Sequence, residues 1–236
     1  MGTMYKKLLL CMGIGVIGVL GSFSFAHAAD PQCIITWKSQ NHAPTWFMGK
    51  IIPIRQSSVR VTLEAVSQNP ADKGKILDLS NKEVRWYLNG DLVRKGTGMQ
   101  ELTIANNDLS GSNITGSVAF SYYDPTDNSA YFPECWFSIP VTNPLVFLSL
   151  PTSSLPTNTT STITAIPFFF NTADQFLVAT WTVNGNQVPA TEVSSLALPL
   201  SIPSGAAGPV NVGVALSSNQ DPFEQGNASY SFSLTQ

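Results

Sequence analysis

Catalysis and metal binding need groups that attack, titrate or ligate, and this sequence holds few of them in useful company. Its histidines are His27 and His42, and His27 falls within a leader-like segment, which leaves His42 in Asn41-His42-Ala43-Pro44. A Ser–His–acid triad would rest wholly on His42, and no Gly-x-Ser-x-Gly elbow presents a serine to it. There is no His-x-x-x-His, no Cys-x-x-Cys and no Gly-x-x-x-x-Gly-Lys loop, so zinc, dithiol and P-loop chemistry lack their ligand spacing. Glycoside hydrolysis needs two carboxylates facing across a cleft, and nothing marks such a pair. The chain reads as non-enzymatic, with no catalytic residue and no cofactor.

The residues better suited to contact lie in 122–133, YYDPTDNSAYFP. Rigid aromatics supply area and small polar residues supply hydrogen bonds, a mixture that suits a recognition loop. Tyr123, Asp124, Asp127, Asn128 and Tyr131 are the candidates for ligand or partner contact. Asp124, Asp127 and Asn128, with Glu134 nearby, also form a weak calcium candidate. Calcium takes six to eight oxygens, so these do not make a site unaided, and no metal is assigned. A plain hairpin, with tyrosines over a sheet end and Asx-turns at the aspartates, is the simpler reading of the same residues and the favoured one. Two other aromatic groups remain. Residues 45–48 (TWFM) are expected to pack over the edge of the first domain. In 168–170 (FFF), alternation sends Phe168 and Phe170 to a core and leaves Phe169 to meet the first domain or a partner.

The elements that must carry these residues are strands. Segments rich in β-branched and aromatic residues recur between Asn-Gly, Pro-Ser-Gly and Asn-Gln-Asp-Pro turns, and no mature window shows helical periodicity. VRWYLNG at 84–90 returns as ATWTVNG at 179–185. With Trp86 and Trp181 in register, Leu102 and Ile104 fall beside Leu198 and Leu200, and Val118 and Phe120 beside Val212 and Val214. The chain is an internal duplication. Each frame places one large core side chain and then turns back through Asn-Gly, the strongest two-residue hairpin signal.

This pattern resembles the immunoglobulin-like superfold, including the Ig-like and polycystic-kidney-disease-type modules of bacterial exported proteins. The resemblance implies an all-β fold of two tandem Ig-like β-sandwiches, with Trp86 and Trp181 filling the space between sheets as structural core. The expected organisation is a signal peptide at 1–28, a first sandwich at 29–143 and a second at 144–236. Antibody-type domains bridge their second and sixth strands. Those positions are apolar here, and Cys33 and Cys135 lie in the first and last strands of the first domain.

Lys6 and Lys7, the apolar run 8–20 and Ala26-His27-Ala28 give the tripartite pattern of a secretory leader, with an uncleaved membrane anchor as the alternative. An exported chain meets oxidising conditions, so Cys33 and Cys135 read as a disulfide. All twelve Lys and Arg lie at or before Lys95. A second domain without a cation cannot form the basic stripe that nucleic acid requires. The expectation is an exported binding or adhesion module of the cell envelope or surface, meeting a protein or a glycan. A pilus or surface-layer subunit and an accessory part of a secreted hydrolase system are the alternatives. Any membrane contact would come only through an uncleaved N-terminal segment.

If the tryptophans are core rather than contact residues, Trp86→Ala and Trp181→Ala should each cost about 3–5 kcal/mol through lost burial and a residual cavity. Urea denaturation followed by a probe in each domain reads this; a variant with unchanged stability would make its tryptophan a site residue.

Overall fold

A computed structural model describes residues 30–70, 72–124, 129–150, 154–189 and 196–235. The leader-like segment lies outside these. Strands β1 to β9 form one pair of sheets and β10 to β17 another, with no strand shared.

In the first unit, β1 (Gln32–Ser39), β2 (Ser58–Val66) and β5 (Glu101–Ala105) make one sheet in that order. The facing sheet runs β4 (Asp91–Thr97), β3 (Glu83–Leu88), β6 (Asn113–Phe120), β9 (Glu134–Pro140). A separate hairpin, β7 (Tyr122–Asp124) with β8 (Ser129–Tyr131), extends between β6 and β9. The second unit repeats the plan. β10 (Leu145–Ser149), β12 (Thr159–Phe168) and β15 (Ala197–Ile202) form one sheet. Its partner runs β11 (Ser154–Pro156), β17 (Gln225–Thr235), β16 (Gly208–Ser218), β13 (Leu177–Val183), β14 (Asn186–Gln187). All ladders are antiparallel except the short β11–β17 pairing. First, second and fifth elements on one sheet, facing a hairpin strand and the last two strands on the other, is the Ig-like arrangement. The chain is all-β, two tandem Ig-like sandwiches.

The repeated frame does what the sequence implies. Trp86 pairs with Val118 and Trp181 with Val214, and both indoles are wholly buried. Asn89, Gly90, Asn184 and Gly185 all have positive φ, between 51° and 89°, as a two-residue primed turn requires. Trp86 donates its indole N–H to the Met99 carbonyl at 2.7 Å. For Trp181 Nε1 no acceptor exists among the described residues, which omit 190–195 just before β15. Cys33 on β1 and Cys135 on β9 are joined by a disulfide, with Cα atoms 6.1 Å apart, so the bridge ties one sheet to the other at their edges.

The connection from β1 to β2 corrects one expectation. Residues 45–48 do not lie over the edge of the first domain; Trp46 and Phe47 pack edge-on against Phe168 of the second, at 5.7 and 5.2 Å between ring centroids. The expectation that Phe168 enters the core fails with it. Ile163 and Ala165 face the second core, so Phe168 falls in step with Ile166 on the other face of β12, and the φ of 65° at Phe169 then breaks the alternation. Phe170 enters the second core, while Phe168 and Phe169 both turn to a junction cluster with Ile54, Phe47 and Ile52. Hydrogen bonds close it. His42 and the 169–170 backbone exchange two N–H···O bonds of 2.7 Å, and buried Asn41 donates Nδ2 to the Phe169 carbonyl at 2.6 Å and to Asn171 Oδ1 at 3.0 Å. Asn171 in turn donates to the Arg55 carbonyl.

Asn41→Ala removes both donations and leaves a buried carbonyl unmet, at a cost of about 1–3 kcal/mol. The variant should separate one unfolding transition into two, seen by calorimetry. A single transition at the wild-type temperature would show that the junction does not couple the units.

Candidate contact face

Alternation in β9 decides what the first domain shows to solvent. Cys135 and Phe137 face the core, so Glu134, Trp136 and Ser138 face outward, and Trp136 is 73% exposed. Register places Leu92, Tyr87, Ser117 and Trp136 in one row across the outer face of the four-stranded sheet. Lys95, Arg85, Ala119 and Glu134 make the next row. Ser117 and Ala119, small and central, are buried beneath their large neighbours although they point outward. Ser117 Oγ donates to Glu134 Oε1 at 2.6 Å.

The charges on this face are organised around Glu83. Arg85 and Lys95 approach its carboxylate at 2.6 and 3.2 Å. The Arg85 hydrogen bond, then Lys95, holds the Glu83 carboxyl below its ordinary range. The Arg85 guanidinium also lies 3.9 Å from the centre of the Phe132 ring, which anchors the chain just after β8. An exposed ion pair of this kind contributes little stability; here its role is to hold a flat cation against an aromatic.

Beside the face stands the β7–β8 hairpin. Tyr122 and Tyr131 are opposite each other in the ladder and meet edge to face at 5.6 Å. Tyr131 donates its hydroxyl to Asp30 Oδ1 at 2.8 Å, tying the hairpin to the start of the domain. Tyr123, on the opposite face of the hairpin, is 47% exposed, whereas Asp124 is buried. Thus Tyr123 faces solvent, Tyr131 is engaged in holding the hairpin, and Asp124 is turned inward. Asp127 and Asn128 lie outside the described residues. Among the described residues no group of three or more His, Cys, Asp or Glu side chains is gathered to hold a metal. Sequence reading missed Trp136, Arg85 and Tyr87. The signal was present for Trp136, because a bridged, inward Cys135 obliges its neighbour to face out.

No protein-family model and no curated protein matches the chain. Solved structures do. The three N-terminal domains of the highly immunogenic outer capsid protein of bacteriophage RB49 match with a TM-score of 0.39 at 13% identity, covering 87% of this chain and 59% of that one. Domains 4 and 5 of the S-layer protein SbsC give 0.35 at 10% identity, covering 88% and 100%. The ectodomain of mouse nectin-like molecule 4 gives 0.33 at 10%, covering 86% and 63%. The chain therefore spans less than two thirds of the phage and nectin-like chains. The Ig-like assignment rests on strand order and register.

Burial, and after it the bond to Asp30, raises the Tyr131 hydroxyl pKa above its ordinary 10.0. Tyr131 then keeps its proton longer in the folded than in the unfolded chain. Its contribution is complete below about pH 10 and is lost as pH rises above that. Wild type should lose stability more steeply than Tyr131→Phe between about pH 10 and 12, measured by urea midpoints. Parallel curves would show that Tyr131 does not link the hairpin to Asp30 in solution.

Proposed function

We propose that the chain is an exported, non-enzymatic binding or adhesion module whose contact surface is the outer sheet face of the first domain and its adjoining tyrosine hairpin. The observation that carries this reading is Trp136, an indole left 73% exposed on a strand whose other side is fixed by a disulfide. Aromatic side chains contribute most to interfaces when held rigid and flanked by polar groups, and Trp136 has Tyr87 and Leu92 in its row and Arg85 and Glu134 in the next. The Cys33–Cys135 bridge supports an oxidising compartment outside the cytoplasm. The junction supports a stiff pair of domains, which presents such a face at a fixed distance from whatever lies beyond the second domain. Partner contact at Tyr123, and at Asp127 and Asn128 on the strength of their sequence, belongs to the same proposal.

Labelled protein should bind envelope preparations of the producing organism saturably. Tyr123→Ser combined with Trp136→Ser should weaken that binding at least tenfold while shifting the melting temperature by only about 2 °C, because both side chains are largely exposed. Absence of saturable binding, or binding unchanged in the double variant, would overturn the reading.

A further inference from the structure

The open edge between β1 and β9 is a groove, lined by Asp30, Cys33, Trp37, Glu134, Trp136 and Ser138 among others. We propose that this groove binds a neutral polysaccharide chain, an inference that rests on the binding-module reading and names the ligand class of its contact face. Two indoles line one short cleft. An indole face is electron-rich, and the axial C–H face of a pyranose ring is apolar and slightly positive, so sugars stack on tryptophan where few other polar ligands do.

The polar groups point the same way. Asp30 and Glu134 each accept one protein hydroxyl, Tyr131 Oη–H at 2.8 Å and Ser117 Oγ–H at 2.6 Å. An ionised carboxylate offers about four acceptor positions, so both retain capacity for sugar hydroxyls, which are donors in every orientation. Ser138 adds a group that both gives and takes. No lysine or arginine lines the groove. The adjacent cation, Lys50, sits 4.1 Å over the Trp37 ring and donates to the Trp37 carbonyl, so that ring face is taken and Trp136 is the indole left open to stack on a sugar, with Trp37 as the wall of the cleft. A cleft lined by two carboxylates, with the one neighbouring ammonium turned onto the Trp37 ring and carbonyl, disfavours phosphate, sulfate and uronate and suits uncharged hydroxyls.

Rigidity completes the case. The Cys33–Cys135 bridge crosses from β1 to β9 within this groove, so its two walls are held at a set spacing before any ligand arrives. Preorganisation of that kind lowers the ordering cost that weak sugar contacts must overcome.

The test uses the intact disulfide-bonded protein and a panel of neutral hexasaccharides: cellohexaose, maltohexaose, xylohexaose, mannohexaose and chitohexaose. At least one should bind in calorimetry and shift the tryptophan emission. Trp136→Ala should weaken that binding at least tenfold and Asp30→Asn severalfold, while Trp136→Phe retains part of it. Thermal melting confirms that each variant is folded. No binding by any hexasaccharide at millimolar concentration overturns the inference, as does binding that Trp136→Ala leaves unchanged. Envelope binding that depends on Trp136, yet is displaced by protease treatment of the envelope and by no sugar, also overturns it and assigns a protein partner. In that case the module reading stands; loss of all envelope binding removes both.

Discussion

A β-strand has two faces and no third, and in the first domain that constraint acts through one covalent bond. Cys33 and Cys135 meet across the sheet edges, which fixes β9 with Cys135 and Phe137 inward. Every intervening side chain is thereby sent out. Trp136 is exposed because its neighbour is bridged, and Glu134 and Ser138 flank it on the same side. A slip of one residue would bury an indole against a core already filled by Trp86 and Phe137, which contact edge on at 6.3 Å. The bridge therefore sets the register of the strand that carries the contact face, in addition to closing a loop of 102 residues' separation.

The second organising feature is a break in alternation at the end of β12. Phe169 adopts a positive φ that a bulky side chain seldom accepts, at a cost of about 1–3 kcal/mol. The return is that consecutive rings, Phe168 and Phe169, both serve the junction, and the backbone there pairs with His42. A long connection between β1 and β2 would ordinarily be the most mobile part of such a domain. Here Asn41, His42, Phe47 and Ile54 dock it on the neighbouring unit, so the segment that looks like a loop in the sequence is the interface in the structure.

What could be read in advance follows from whether its cause is local. The buried tryptophans, the Asn-Gly turns and the strand pattern depend on residues a few positions apart, and period two exposes them directly. The disulfide was legible because only two cysteines, Cys33 and Cys135, lie beyond the leader-like segment. The destination of Trp46 and Phe47 was not, since it depends on the Phe168 ring some hundred and twenty residues downstream. Nor was the row Leu92–Tyr87–Ser117–Trp136, which exists only once four strands are in register. Within the hairpin, sequence could not separate Tyr131, bonded to Asp30, from Tyr123, which faces solvent. Both are tyrosines in the same polar stretch, and the partner that distinguishes them is a hundred and one residues away.

The lopsided charge has its own structural consequence. No lysine or arginine follows Lys95, yet Glu224 is buried beside the junction. A buried carboxylate must be paired or hydrogen-bonded, and this one is met by the amides of Asn171 and Thr172 and by the Thr172 hydroxyl, at 3.0 Å from the Thr172 amide and 2.5 Å from its hydroxyl. The Thr172 hydroxyl lies 2.7 Å from Ser218 Oγ, so the bend at 171–172 and the turn at 218–224 are held by one small network. Asn171 belongs to that network through its backbone and to the junction through its side chain. Among the described residues no ion pair joins the two domains; apolar rings, oriented dipoles and the Arg55 guanidinium 4.7 Å over the Phe223 ring secure their contact. Salt screens exposed charges over about 10 Å at 0.1 M but has little hold on buried hydrogen bonds, so the geometry between the domains responds little to ionic strength.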